Sequence, residues 1–176
     1  MDVHREGNVL LTGSVDGRAS LVNPNTGKVV ARLPVCEPSA TSTSDSGASA
    51  GEDEEEEDSV EAVALSSGLP FAATGSLAGR LLIWDLNSEK LRHDPIRLEG
   101  GITRLAWHEA AGNDLLFCSS LDGTASAWDG RTGSVVRRWT GHRGQVLDMA
   151  VAPMGNFAIT ASGDGTVRTF TLGGES

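Results

Sequence analysis

Four stretches of the chain repeat one pattern of apolar and polar positions: LLTGSVDGRASLVN, FAATGSLAGRLLIWD, LFCSSLDGTASAWD and AITASGDGTVRTFT. Each starts with a short apolar run and passes through small or hydroxyl residues to a two-residue turn ending in glycine. A second apolar run follows. The turn glycines are Gly17, Gly79, Gly123 and Gly165. Asp-Gly between apolar runs signals a hairpin, because the tightest hairpin turns need positive φ at their centre. A further apolar run precedes the pair, as in VEAVAL, ITRLAW and VLDMAV, and another follows it, as in KVVARL and SVVRRW. Each period therefore predicts four short antiparallel strands, a to d in chain order. NPNTGK and DGRTGS are the c–d turns, with Gly27 and Gly133 supplying positive φ.

The turn glycines are spaced by 62, 44 and 42 residues. The longer first interval is one period plus an insertion of roughly 18 residues, and Pro34 to Ser59 falls inside it. Four strands per period of this length is the signature of an all-β fold, the WD40 β-propeller. The expected organisation is a partial first blade over residues 1–33, an acidic disordered insert over 34–59, and three further blades over 60–176. MDVHREGN reads as too short for a strand a, and TVRTFTLGGES stops after strand c. That makes an incomplete propeller of about four blades, where this fold usually has seven, and suggests a fragment or truncated product. The alternative is that two copies close one ring.

WD40 blades resemble one another in a hydrogen-bonded tetrad: His in the d–a turn, Ser or Thr on strand b, Asp in the b–c turn and Trp on strand c. The last repeat supplies His142, Thr160 and Asp164, with Phe170 at the Trp position. The third has Asp122 and Trp128, with Cys118 at the hydroxyl position. The second has Thr74 and Trp84, with Ala78 at the Asp position. The first has Thr12 and Asp16, with Val22 at the Trp position. A tetrad accounts for His142 and Asp164 better than catalysis does, since nothing in the sequence places a nucleophile or substrate cleft beside them. NTGK lacks phosphate-loop spacing, and no GxSxG is present. No cofactor, metal or catalytic residue is expected.

Charge changes the picture in one place. Of 24 Asp and Glu, nine lie between Pro34 and Ser59 with no Lys or Arg, leaving 15 acids against 14 bases elsewhere. Glu52, Asp53, Glu54, Glu55, Glu56, Glu57 and Asp58 form an unbroken run among Ser, Thr, Ala and Gly. Such composition does not order itself and reads either as a solvated spacer or as an arm attracting a basic partner. Phosphorylation of Ser44, Ser46 or Ser59 would add to its charge. The lack of a basic patch argues against direct nucleic-acid binding. Cys36 and Cys118 without a CxxC suit a reducing compartment, and no apolar run is long enough for a transmembrane helix. A cytoplasmic location, with the nucleus also open, is expected. Partners of this fold often use the face formed by d–a and b–c loops. Val15, Leu77, Thr103, Leu121, Arg143, Gln145 and Leu147 map there, and Leu77 and Leu121 hint at apolar contact.

The resemblance becomes more specific in LTGSVDG, TGKVV, the acidic insert running into SVEAVALSSGLPFAATGSLAGRLLIWDL, then CSSLDGTASAWDGRTG and the GH and SGDG of the last repeat. Together these resemble the C-terminal half of the angio-associated migratory cell protein family. The resemblance implies a non-catalytic interaction scaffold. Its fungal relatives imply chaperone-like binding of a basic large-subunit ribosomal protein in ribosome biogenesis. Its animal members imply the alternative, a signalling or cytoskeletal adaptor in cell migration.

Overall fold

The computed structural model describes residues 1–4, 8–35, 58–110, 113–153 and 157–172. Their regular structure is entirely β, in four antiparallel sheets that follow one another along the chain. The first holds β1 (Asp2–Val3), β2 (Leu10–Gly13), β3 (Arg18–Val22) and β4 (Val29–Pro34) in that order. The second holds β5 (Val60–Leu65), β6 (Phe71–Ser76) and β7 (Arg80–Asp85), with β8 (Lys90–Leu91) and β9 (Ile96–Arg97) both pairing β7. The third is β10 (Ile102–Ala110), β11 (Asn113–Ser120), β12 (Ala125–Asp129) and β13 (Val135–Trp139). The fourth is β14 (Val146–Val151), β15 (Phe157–Ser162) and β16 (Val167–Thr171). The inner strands β5, β10 and β14 lie against one another, so the sheets are successive blades of an incomplete propeller.

Two details depart from the sequence reading. The first blade does have a strand a: Asp2 and Val3 pair Leu11 and Leu10. Two residues suffice because the Asp2 side chain also accepts a hydrogen bond from the Leu65 amide of the next blade, at 2.8 Å. Strand d of the second blade is split. The Arg92 amide still donates to the Ile83 carbonyl, residues 93–95 then leave the ladder between β8 and β9, and Pro95 has no N–H to give to it. The fourth blade has no strand d among the described residues.

The core is three apolar layers, one between each pair of blades. Leu11, Leu33, Leu82 and Trp84 fill the first; Leu81, Ile83, Ile102 and Leu116 the second; Phe117, Trp139 and Met149 the third. Neighbouring residues of one strand enter opposite layers, as Leu82 and Ile83 do, so β6 is buried along its whole length. β4 and β15 sit in terminal blades and alternate buried with exposed. That is the difference between a sheet covered on both faces and one covered on a single face.

Blades approach most closely where strand b meets the next strand a. A Cβ on Gly75 would lie 2.4 Å from Cγ2 of Ile102, and one on Gly13 2.7 Å from Cγ1 of Val60. Ile102 is fully buried and has nowhere to move. Gly75→Val should therefore lower stability by about 1–3 kcal/mol through overpacking, read from the urea unfolding midpoint.

Candidate functional site

The rim bearing the b–c turns is built by one repeated backbone contact. The amide of Leu77 donates to the Ser59 carbonyl, that of Leu121 to Gly101 and that of Gly163 to Gln145, at 2.9, 2.8 and 2.8 Å. Each acceptor is the last residue before its blade's strand a, so the b–c turns of the second, third and fourth blades are clamped to the d–a connection of their own blade. Strand a then bulges at its second residue, at Glu61, Thr103 and Leu147. A bulge re-aims the residue it carries.

The acidic segment is tethered to this rim at both ends. The Val35 amide donates to the Gly17 carbonyl and the Val60 amide to the Ser14 carbonyl, at 3.2 and 3.0 Å. Chain thus leaves and returns at the single turn Ser14–Gly17. Glu52, Asp53, Glu54, Glu55, Glu56 and Glu57 lie outside the described residues. Asp58 does not belong with them. It is buried, accepts from the Ala78 amide at 2.8 Å and pairs with Nε of Arg80 at 3.5 Å. The second blade has Ala78 where a b–c turn aspartate is expected, and Asp58 provides that carboxylate from the d–a side. Ser59 is also buried, its hydroxyl donating to Glu61 at 2.5 Å, which removes it from the accessible phosphorylation candidates. Pro34 ends β4 and Val35 is buried, so the packed body extends inward from both ends of the expected insert.

The tetrad residues assemble to different degrees. In the fourth blade His142 bonds through Nε2 to the Thr160 hydroxyl at 2.7 Å and through Nδ1 to Asp164 at 3.2 Å. Phe170 stands edge-on to the imidazole, 6.2 Å between centroids, where an indole would otherwise bond. In the second blade Trp84 Nε1 donates to Thr74 at 3.1 Å. In the third, Trp128 Nε1 turns instead to Ser126 on its own strand at 2.8 Å, because the Cys118 thiol is a poor acceptor. Asp122 there accepts from the Thr124 amide and hydroxyl and pairs with Arg138 of strand d at 3.0 Å, an arginine replacing the missing histidine. In the first blade Thr12 donates to the Ser20 carbonyl and exposed Asp16 caps the Arg18 amide; the two do not meet a tryptophan. Burial, then the nearby Asp122 charge, push the Cys118 thiol up to about 12. It is a core residue, not a nucleophile.

Hydrogen bonds from the Thr166 hydroxyl first, then from the Arg143 amide, hold the Asp164 carboxyl well below the usual carboxylate range. The sign follows from linkage. A depressed folded-state pKa contributes stability that is complete above the unfolded value of about 4 and is lost as pH falls through the folded one. Asp164→Asn should be less stable than the parent at neutral pH, and the difference should narrow progressively as pH falls below about 4 in urea titrations.

The remaining rim residues divide in two. Thr103 is committed to structure, its hydroxyl sharing hydrogen bonds with Ser119 Oγ and the Val146 carbonyl, both at 2.9 Å. Leu121 is half-buried, and the Arg143 and Gln145 backbones serve the fourth blade while their residues stay exposed. Val15, Leu77 and Leu147 are exposed by 74%, 52% and 54%. Val15 and Leu77 flank the tether points of the acidic segment, a juxtaposition that needed the folded rim to be seen. Among the described residues no group of His, Cys, Asp and Glu could hold a metal, and no helix is long and apolar enough to cross a membrane.

Residues 133–170 match the WD40 family, WD domain, G-beta repeat. Angio-associated migratory cell protein of Homo sapiens is 39% identical over 96% of this chain. The crystal structure of Saccharomyces cerevisiae Sqt1 is 26% identical and superposes with a TM-score of 0.73 over 94% of this chain and 42% of its own. Chaetomium thermophilum Sqt1, bound to the N-terminus of the ribosomal protein L10, is 25% identical with a TM-score of 0.77 over 97% of this chain and 42% of its own. The chain spans 37% of the length of the curated relative.

Proposed function

The chain belongs to the angio-associated migratory cell protein family of WD40-repeat proteins, and on that premise we propose that it is a non-catalytic scaffold holding a basic segment of a partner protein, in the cytosol or nucleus. The observation that carries this is the tether: the segment with the acidic run leaves and returns at one rim turn, beside exposed Val15 and Leu77. A cationic segment drawn by the run would meet apolar anchors at its base, so steering and docking would act at one place. The Sqt1 structure with the L10 N-terminus supports a ribosomal protein as the client class, and chaperone-like service to ribosome biogenesis as the role.

Fluorescence anisotropy with a peptide of the L10 N-terminus tests this. Leu77→Arg should weaken binding by about tenfold, an ordinary effect for one interface anchor. Val135→Arg, on an equally exposed valine beside a c–d turn, should not weaken it. Equal loss in both variants, or no binding by the parent, would sink the proposal. Binding of cytoskeletal or receptor-tail peptides in its place would favour an adaptor in cell migration.

A further inference from the structure

Strand d runs unbroken in the first and third blades, where Arg32 faces Ser20 and Arg138 faces Ser126. In the second blade the matching place is open. There β9 sets Arg97 opposite Arg80 and Ile96 opposite Leu81, and β8 sets Leu91 opposite Trp84 and Lys90 opposite Asp85. No residue of strand d faces Leu82. The break opens a cleft of about 800 Å³ between the first two blades, each of which carries strands a to d. Pro34 and Val35 line it from the first blade, Leu91 and Pro95 from the second, and buried Leu82 and Trp84 form its floor. Its size suits a bound segment or small ligand.

The charge of this cleft runs against that of the chain, which has 24 acids and 14 bases. Arg80, Lys90 and Arg97 line it, and among its described lining residues none is acidic. Arg80 pairs with Asp58 at 3.5 Å. Lys90 and Arg97 are exposed and form no ion pair among the described residues. Arg97 also stands directly opposite Arg80 on the ladder, a like-charge pairing that costs stability unless an anion answers it.

We propose that this cleft binds an extended segment of a separate protein that carries an acidic residue two positions before a large apolar one. The carboxylate meets Arg97 beside Arg80, and the apolar side chain enters the break over Leu82. Alternate residues of an extended chain share a face about 7 Å apart, which is the spacing of Arg80 and Leu82 along β7. The chain's own residues 36–57 are a poorer fit, because they hold acids but no Val, Ile, Leu, Met, Phe or Trp. Burial of the apolar side chain would give affinity, and the carboxylate–arginine contact selectivity. Neither Val15 nor Leu77 lines the cleft, so its occupancy is separable from binding at the rim.

Labelled peptides G-S-E-T-L-S-G, G-S-K-T-L-S-G and G-S-E-T-S-S-G, titrated by anisotropy against the full chain, test this. The first should bind about fivefold more tightly than the second, the scale of one cross-strand charge pair. It should bind about tenfold more tightly than the third, which lacks the leucine. Arg97→Glu should remove the preference for the acidic peptide, whereas Arg168→Glu, at an exposed arginine of the fourth blade, should keep it. Arg97 is exposed, so its variant should fold, which circular dichroism checks. No binding by the parent, equal affinity for the first two peptides, or an unchanged preference in Arg97→Glu would overturn the proposal. Binding that appears only when Glu52 to Glu57 are replaced by serine and glycine would assign the cleft to the chain's own acidic run. A concentration-dependent dimer lost in Arg97→Glu would assign it to a second copy. Either result would overturn the proposal equally.

Discussion

Replacing Phe117 with alanine should lower stability by about 3–5 kcal/mol, the range for emptying a fully buried aromatic site. Phe117 is completely buried in β11 and stacks on Trp139, ring centroids 6.0 Å apart. Trp139 in turn stacks on Phe170 of the fourth blade at 5.8 Å, and Phe170 stands against His142. Removing the first ring leaves a cavity in the layer that joins the third blade to the fourth. The loss should therefore not be uniform. Hydrogen exchange of β14–β16 should rise more than that of β2–β4, which pack through the first layer. Urea unfolding gives the size of the effect and hydrogen exchange its location. A loss below about 1 kcal/mol would mean that the layer collapses around the gap.

Arg80→Met should cost about 3 kcal/mol at neutral pH, the lower end for breaking a buried ion pair from one side. The Asp58 side chain is 2% exposed and that of Arg80 29%, so the charge that remains is the one less able to reach water. The double variant Asp58→Asn with Arg80→Met should recover much of the loss, since removing both charges of a buried pair costs less than removing one. This pair sits beside the Ser59–Leu77 clamp where the acidic segment rejoins the body. In the single variant the Leu77 amide should exchange faster. Additive losses in the double-mutant cycle would show that the two residues do not act as a pair.

The turns were the most legible part of the sequence. Gly17, Gly27, Gly79, Gly123, Gly133 and Gly165 all adopt positive φ, a conformation that local backbone sterics make cheapest for glycine. The c–d turn of the second blade hid itself by placing Glu89, at φ 55°, where the other two use glycine. Its split outer strand and the two-residue β1 were missed for a related reason. Both are too short to leave an apolar period, and both depend on neighbours distant in sequence, such as Leu65 for Asp2. The tetrads were legible as residues but not as contacts. His142, Thr160 and Asp164 come together, whereas Trp128 takes Ser126 and Asp122 takes Arg138. Asp58 is the sharpest case. Its place at the end of an acidic run made it look solvated, yet it supplies from another loop the carboxylate that Ala78 cannot. Position in a charged run describes composition; burial is decided by what the fold brings opposite.

In the proposed function the acidic segment serves binding from the rim where it is tethered. Replacing Glu52 to Glu57 with serine and glycine of equal length, leaving Asp58 in place, and measuring affinity for the L10 N-terminal peptide across a salt series tests this. A loss on the order of tenfold at low salt and a flatter salt dependence are expected, because electrostatic attraction to exposed charge is screened over about 10 Å at 0.1 M. Unchanged affinity with an unchanged salt slope would contradict it and leave the segment as a spacer.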